Sequence, residues 1–495
     1  MITKFKIEVT TKLVKCTEEE EEGFSRVGAG RYEQVISAEQ ARSIDECERL
    51  LLETNYASLR DGYAEHLSEL SRTYALEQFG DLSLCEIKRY QVDGEIGRFE
   101  FDNYCEKSSG ESLFPALHGK EWYRTSGFKE IGFVHGTVEG SYRKTSDQIN
   151  RIRHQEGATP FRTLRDNTKS EGEQLMAHME EQAVEILETN GFTADGVRTE
   201  KAIDHSEQKL VTLPPEQVAQ AIQACAPEPE WIADMTDNPV DYEEPTQTTQ
   251  ICIDDVNVKR QKTHRNDEDE EAEKKRKYAH NTVAHIAHAE DSYIINGRGL
   301  ANVLRLVLAF LLNNQLLSGN LVFFLDGQRS LYTATLALFC WIPAVQVILD
   351  WYHLKKRCKE QLSTALKGYN IRNPLLDELL PCLWHGCVDK AIELLQAIEP
   401  EHIKNQDALD KLIAYLKRNQ SYIPCYSVRK HFDLCNSSNR GEKCQDLIVS
   451  KRQKHNGMSW SRQGSAALAA ISALVKNGEY KLWFQSNSLS FSFSA

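Results

Sequence analysis

Short apolar runs alternate with longer helical patterns in the second half of the chain. The runs 251–258, 321–325 and 344–349 are typical of buried strands, and the segment 282–295 predicts one or two further strands. Patterns of helical period occupy 300–317 and 330–339. Consecutive strands followed by alternating helix and strand predict an α/β layer built on a mixed sheet.

The remaining segments are mostly helical. A helical pattern covers 38 to about 76, strand-like alternation covers 97–102, and 353–426 and 442–475 are mainly helical. Proline and acidic residues are concentrated in 213–250, which indicates a linker. We therefore expect a mixed N-terminal domain over 1–119, a helical region over 120–212, the linker, an α/β domain over 251–475 and a low-complexity tail over 476–495.

Basic residues follow one of the predicted helices of the N-terminal half. Helical segments that begin near residues 141 and 159 are joined by a glycine-containing turn at 155–158. Arg162, Arg165 and Lys169 are spaced along the second segment, which favours a DNA-binding helix-turn-helix. A pair of solvated amphipathic helices is the alternative interpretation of the same pattern.

Composition and charge restrict the class of protein. The hydrophobic fraction of 41% predicts a soluble globular chain. The net charge of −14 argues against a nucleic-acid binder, but acid is concentrated in 18–22 and 267–273 while other segments are basic. The 13 cysteines are scattered without a C-x-x-C pair, so we expect reduced thiols and no zinc module. Neither a signal peptide nor a membrane span is expected, which favours a cytoplasmic protein.

Acidic residues follow three of the predicted strands. Asp254 and Asp255 follow the apolar residues Ile251-Cys-Ile253 of the first, Asp326 follows the second, and Asp350 follows the third, with His353 three positions further on. Because an α/β sheet presents its ligand groups at the carboxyl ends of its strands, these carboxylates suit Mg²⁺ or Mn²⁺. Aspartates are also common in turns, and Asp350 could instead cap a helix whose first turn packs His353.

The order of these features resembles the DDE transposases of the Mutator-like superfamily, and most closely those of bacterial insertion sequences of the Kra and Lre types. The shared order is strand-Asp, strand-Asp-Gly, strand followed by Asp-x-x-His, a helical insertion and a late Glu. The block that ends at Glu442, the Lys451-Arg-Gln-Lys454 run and the Gly457-Met-Ser-Trp-Ser461 run keep the spacing of that family's last motif. The likeness extends from about residue 251 to 465.

This resemblance implies a fold and a chemistry. The fold is an RNase H-like mixed-sheet core with a helical insertion at about 360–435. Asp254, Asp326 and Glu442 would be catalytic and would hold two Mg²⁺ or Mn²⁺ ions, with Asp255 as the alternative first ligand. The reaction would be cleavage and transfer of DNA strands by in-line displacement, without a covalent protein–DNA intermediate.

The resemblance also implies supporting residues and partners. Asp350 and His353 would orient DNA or support the site, and Arg452 and Lys454 would neutralise phosphates near the cut. Trp460 would stack on an unpaired base or anchor its helix in the core. The partners would be double-stranded DNA, as terminal inverted repeats and as target, and further copies of the chain, because two element ends are cut together. The protein would be cytoplasmic and associated with the nucleoid when bound to DNA.

Some positions depart from the family pattern. Ser437 and Asn439 stand where glycines are usual, Gln453 replaces a methionine and Asp446 replaces a lysine. These departures keep open a catalytically inactive, transposase-derived DNA-binding protein. A different RNase H-like nuclease would use the same carboxylates, but its chemistry gives no reason for the Gly-Met-Ser-Trp-Ser run.

Overall fold

The computed structural model describes residues 4–15, 25–37, 43–120, 122–261, 277–454 and 457–493, and these residues form two compact units. Unit 1 comprises Met1–Thr168 with Tyr480–Ser488, and unit 2 comprises Lys169–Glu479 with Leu489–Ala495. The acidic runs at 18–22 and 267–273 lie outside the described residues.

Unit 1 combines strand pairs with helices. A hairpin of two antiparallel strands comes first, and a second sheet of order β4-β3-β5 follows a long helix. The strands are β1 (Lys4–Lys15), β2 (Ser25–Ser37), β3 (Cys85–Gly94), β4 (Gly97–Glu106) and β5 (Trp122–Arg124). The helices are α1 (Ile44–Phe79), α2 (Ser126–Lys129), a π-helical turn (Glu130–Val134), α3 (His135–Val138), α4 (Tyr142–Ile152) and the first residues of α5 (Phe161–Thr189), with short 3₁₀ turns at Leu82–Leu84 and Pro115–Leu117.

Helix α1 confirms the helical pattern predicted up to about residue 76, and its described ends have standard caps. The Ser43 hydroxyl accepts a hydrogen bond from the Glu46 N–H, and Gly80 ends the helix in a left-handed conformation at φ 73°. The helix also protects the edge strand β4. The hydroxyls of Ser68 and Ser71 accept hydrogen bonds from the N–H groups of Asp102 and Tyr104, which have no partner strand on that side.

The two helices of the predicted helix-turn-helix are α4 and α5. The Ser141 hydroxyl caps α4, and the side chain of Asn150 accepts a hydrogen bond from the Thr159 N–H across the turn. Helix α5 has 29 residues, so the second helix is much longer than the short segment that the basic residues suggested. Arg162 and Arg165 are exposed on it, and Lys169 is half-buried.

Unit 2 is an α/β unit with helices before, between and after its strands, which confirms the predicted mixed α/β class. Its strands are β6 (Thr248–Lys259), β7 (Tyr278–His288), β8 (Asp291–Gly297), β9 (Asn320–Leu325) and β10 (Val345–Leu349). Its helices after α5 are α6 (Pro215–Cys225), α7 (Trp231–Thr236), α8 (Leu300–Asn313), α9 (Arg329–Phe339), α10 (Trp351–Ala365), α11 (Tyr369–Trp384), α12 (Val388–Gln396), α13 (Gln406–Asn419), α14 (Tyr426–His431), α15 (Asn439–Gln445), the π-helical turn Asp446–Ser450, α16 (Lys451–Gln453) and α17 (Arg462–Lys476), with 3₁₀ turns at Pro245–Gln247, Leu316–Ser318, Pro400–His402 and Gln420–Tyr422.

The strands of unit 2 form one mixed sheet of order β10-β9-β6-β7-β8. Strands β6, β7 and β8 are an antiparallel meander, whereas β9 and β10 run parallel to β6 and follow helices. All six residues of β9 are buried, as expected for a central strand covered on both faces. Helices α10 to α14 lie in sequence between β10 and α15.

Residues 213–250, expected to be a linker, are folded into unit 2. They form α6 and α7, and Ala221, Ile222 and Met235 share a buried cluster with Val428 and Leu434 of the α14 region. The prolines stand at helix starts and in turns, where their fixed φ is tolerated. A proline-rich composition therefore marks short helices with sharp ends here.

The tail expected over 476–495 is also structured where it is described. Tyr480–Ser486 forms α18, which belongs to unit 1. Phe491 is fully buried in unit 2, with its ring 5.8 Å from that of Tyr293 and 5.4 Å from that of Phe310. Phe491 of the serine-rich segment thus completes a core of unit 2. The low-complexity composition of the segment did not predict this packing.

No helix in the described parts of the chain is long and apolar enough to cross a membrane.

Candidate functional site

The first two strand-end aspartates lie side by side. Strand β6 runs parallel to β9, and Cys252 pairs with Phe324. Two residues further on, Asp254 and Asp326 therefore occupy equivalent positions at the point where β9 ends. Strand β6 confirms the strand predicted over 251–258. Asp254 was expected at the end of an apolar run, but it lies within β6, which continues to Lys259 because it stays paired with β7.

The third aspartate is at the same edge of the sheet. Strand β10 runs parallel to β9, and Leu349 pairs with Leu325. Asp326 and Asp350 are the residues that directly follow β9 and β10, and Asp254 is level with Asp326 within β6. The register therefore places three aspartates next to one another on neighbouring strands, in the order Asp350, Asp326, Asp254. A parallel sheet places its ligand groups at this edge.

Asp254 and Asp255 face opposite sides of the sheet, since side chains alternate along a strand. The Thr282 hydroxyl on the neighbouring strand donates to the Asp255 carboxylate at 2.5 Å. Asp254 is on the same side as Cys252, against which α15 packs. The Gln445 side chain of that helix hydrogen-bonds to Asp254. Of the two adjacent acids, Asp254 is therefore the one that faces the helix with the late glutamate.

Helix α15 approaches the sheet closely because of one glycine. A Cβ atom at Gly441 would lie 2.7 Å from the Cβ of Cys252 and 3.9 Å from the Cβ of His285. Contacts of 2.7 Å are too short for carbon atoms, so a larger residue would displace the helix. Glu442 is the next residue, and its side chain is about one-third exposed. The glycine thus sets how far Glu442 stands from the strand ends.

A chain of contacts connects the strand end of β10 to Glu442. The buried Asp350 caps α10 by accepting the His353 N–H at 2.9 Å, and it also accepts the N–H of Ser438, just before α15. The Nδ1 atom of His353 is 3.3 Å from Asp350 Oδ1, and its Nε2 atom is 3.6 Å from Glu442 Oε1. Asp350 is both a helix cap and a link between the two segments.

The pKa values of two acids in the site, Asp254 and Glu442, are raised. Burial and the nearby Asp326 raise the pKa of Asp254, against hydrogen bonds from Gln445 and the Asp255 N–H. Burial, Asp350 and Asp254 likewise raise the pKa of Glu442, while His353 opposes that shift. Two carboxyls that are both pushed towards the neutral acid are typical of functional sites.

The pKa shifts of Asp350 and His353 favour the charged form of each side chain. Burial would raise the pKa of Asp350, but His353 and the N–H groups of Ser438 and His353 lower it below its usual value. Burial would lower the pKa of His353, but Asp350, with help from Asp254 and Asp326, raises it. The pair therefore favours an ionised carboxylate beside a protonated imidazole.

The donor chemistry fits a divalent metal ion. Asp254 and Asp326 offer hard oxygen atoms from adjacent strands. Burial is the main cause of the raised pKa of Asp254 and repulsion from Asp326 adds to it, and a bound cation would oppose both effects. Glu442 contacts His353 in this structure. Elsewhere in the described residues, the ligand atoms of Glu399, Glu401 and His402 lie within 4.8 Å of one another, but both glutamates are exposed. This is the one such group in those parts of the chain, so the ligand atoms of Asp254, Asp326 and Glu442 do not all lie within 4.8 Å of one another in this structure.

The basic and aromatic residues predicted near the last motif lie in two environments. Arg452 is 2% exposed and Trp460 is 7% exposed, and the guanidinium carbon lies 5.2 Å from the indole centroid. The indole N–H donates to the Gln453 carbonyl at 3.2 Å. These two positions favour the supporting role, with Trp460 as an anchor of its segment. Lys454 is exposed.

Sequence reasoning missed two residues beside Asp326. Gly327 has a φ of +85°, and a Cβ atom there would lie 2.3 Å from the hydroxyl of Tyr415. Tyr415 belongs to α13, about ninety positions later in the chain. The Asp-Gly pair was a visible signal for a tight turn, but nothing in the sequence indicates which residue packs on it.

No known protein-family model matches this chain, and no curated protein matches it.

Proposed function

We propose that the protein is a DDE-type DNA transposase that cleaves and joins DNA strands at the ends of an insertion sequence. The observation that carries the proposal is the convergence of Asp254 and Asp326 from adjacent parallel strands, with Glu442 facing them from α15. The order and spacing of these three residues in the sequence predict this set, although the residues belong to β6, the end of β9 and α15, which are far apart in the chain.

The topology of unit 2 supports an RNase H-like core. An antiparallel meander of three strands, followed by two helix-connected parallel strands on the other side of the first strand, agrees with that fold. The helices between β10 and α15 correspond to the expected insertion. In this proposal α4 and α5 form the DNA-binding helix-turn-helix, with Arg162 and Arg165 exposed towards DNA.

The residues of the site have separable tasks. Asp254, Asp326 and Glu442 would hold two Mg²⁺ or Mn²⁺ ions, which supply charge neutralisation and activation of water or of a 3′-hydroxyl. Asp350 fixes the start of α10 and the residue before α15, so it holds Glu442 at a set distance from the strands. Asp350 raises the pKa of His353, which favours a positively charged imidazole next to Glu442 and would offset the charge of the surrounding acids.

The proposed substrates are double-stranded DNA ends and target DNA. Two ends are cut together in such a reaction, so the working form would contain more than one copy of the chain. Activity at chromosomal DNA would place the protein in the cytoplasm, associated with the nucleoid.

The alternative with a specific observation in its favour is a transposase descendant that binds DNA without cutting it. Ser437, Asn439 and Asp446 replace residues usual in the last motif, and Glu442 is in contact with His353. Such a protein would keep the sheet and lose the reaction.

The test is cleavage and joining of a labelled duplex that carries the ends of the flanking element, in Mg²⁺ or Mn²⁺. Asp326→Asn and Glu442→Gln should each lower the rate by at least about a hundredfold, because removing one catalytic electrostatic group costs roughly 10²–10³. Asp255→Asn is the matched control, since it changes the adjacent acid on the other face of β6 and should keep activity. Full activity of Glu442→Gln would refute the assignment, and DNA binding without cleavage by the wild type would support the inactive descendant.

A further inference from the structure

A cleft of about 430 Å³ opens beside Asp326 and His353. Its other walls come from the start of α9, one side of α10 and the end of α13. Four cations line it: Arg329, Lys356, Arg357 and Arg418. Two of its lining residues are acidic, Asp326 and Glu360. The cleft is thus a net positive space that adjoins the negative strand ends.

The four cations are exposed and available to a ligand. In the parts of the chain that the structure describes, none of them forms an ion pair within 4 Å of a carboxylate. The guanidinium carbons of Arg357 and Arg418 instead lie 5.5 and 5.6 Å from the centroid of the Tyr415 ring. These cation–π contacts hold two planar groups, each with several N–H donors, at the wall of the cleft.

The hydroxyl of Tyr415 gives an independent indication of a ligand. The residue is 5% exposed and lines the cleft, yet its oxygen is buried without a hydrogen-bond partner. A buried hydroxyl without a partner is destabilising because it has lost its hydrogen bonds to water. An acceptor that enters the cleft would relieve that cost. Arginine forks beside a hydroxyl donor are the groups that recognise a phosphate.

We propose that this cleft binds a backbone phosphate of the DNA strand, next to the phosphate at the candidate carboxylates, through the four cations and the Tyr415 hydroxyl. The proposal rests on the proposed function for the identity of the strand. It adds the helical insertion to the substrate-binding surface, because Arg418 and Tyr415 belong to α13 and Lys356 and Arg357 to α10. If one phosphate binds the four cations and the next one binds at the candidate carboxylates, the ligand carries successive phosphates, as a DNA strand does.

The test measures binding of a labelled DNA duplex to the full-length protein in EDTA, between about 50 and 200 mM salt, a range over which phosphate contacts dominate. Arg418→Gln and Lys356→Gln should each weaken binding about fivefold and reduce the salt slope by about 0.9, the value for one lost phosphate contact. Lys417→Gln and Lys359→Gln are matched controls. They remove the same charge from exposed positions on α13 and α10, but these side chains line other cavities, and both variants should bind as the wild type.

Tyr415→Phe separates the ligand contact from packing. The ring stays, so the melting temperature should be unchanged or higher, while DNA binding should weaken severalfold. A structural role alone would lower the melting temperature and leave DNA binding unchanged, which would overturn the proposal.

Other outcomes separate this proposal from the proposed function. Equal binding by cleft variants and controls would overturn the cleft assignment even if the wild type cuts DNA. Weakened binding in the cleft variants only, with no metal-dependent cleavage by the wild type, would refute the transposase reaction and leave the cleft assigned. Loss of ATP binding in Arg418→Gln with unchanged DNA binding would make the cleft a nucleotide site and overturn the proposal.

Discussion

Removing one partner of the ion pair between Glu243 and Arg429 should strongly destabilise unit 2. Both side chains are at most 1% exposed, and two N–H groups of the guanidinium donate to the two carboxylate oxygens at 2.5 and 2.6 Å. Arg429 also donates to the Cys435 carbonyl at 2.8 and 3.1 Å. It thereby connects the segment before β6 to the loop that leads to α15.

Glu243→Gln should destabilise unit 2 by about 3–5 kcal/mol, because removing one partner leaves a buried charge without compensation. The amide has nearly the shape of the carboxylate, so little of this cost comes from a cavity. Glu243→Leu combined with Arg429→Met removes both charges and should be less destabilising than either single change. The expected coupling between the two sites is at least about 2 kcal/mol.

Hydrogen exchange of peptides from β6, β9 and β10 is the suitable assay, since it reports the opening of this sheet separately from unit 1. The wild type, Glu243→Leu, Arg429→Met and the variant with both changes complete a thermodynamic cycle. Single changes that cost less than about 1 kcal/mol, or strictly additive effects, would contradict the assignment of a coupled buried pair.

Three further predictions concern single positions. Gly327→Ala should destabilise the Asp326 turn by more than about 1–2 kcal/mol, the cost of the left-handed conformation alone, because its Cβ also meets Tyr415; an unchanged melting temperature would contradict this. Burial and Arg440 lower the pKa of His285 to about 4 from an ordinary 6.5, so wild-type stability should fall by about 3 kcal/mol as the pH drops from 6.5 to 4. His285→Gln should remove that slope in melting curves measured across this range. Phe491→Ala should cost about 3–5 kcal/mol in urea unfolding, whereas a frayed tail would give no change.

The strands and the carboxylates were the predictable part of the molecule. Apolar runs of five to eight residues gave β6, β9 and β10, and the acids that follow them meet because parallel strands share an edge. Alternation also decides between Asp254 and Asp255 once the face of the sheet covered by α15 is known. The sequence alone does not predict which face α15 covers, because that depends on the packing of Gly441 against Cys252.

The unpredicted part depends on contacts between distant segments. Composition suggested that 213–250 was a linker, but Glu243 and Met235 are buried by residues nearly two hundred positions later. Likewise, no local sequence pattern marks Tyr415 as part of the cleft. Its role depends on its contact with Gly327 in the folded chain. Local patterns specify elements, and long-range packing specifies which surfaces they cover.

The hydrogen bond between Asp350 and Ser438 has a consequence for the order of events during synthesis. It closes a loop of 88 residues, at an entropic cost of about 4 kcal/mol for a flexible chain. At a translation rate of roughly 5–20 residues per second, the ribosome completes β10 about 5–20 s before it reaches Glu442. A nascent chain therefore carries the three aspartates long before the glutamate, and the acidic centre is complete only after the five intervening helices have been synthesised.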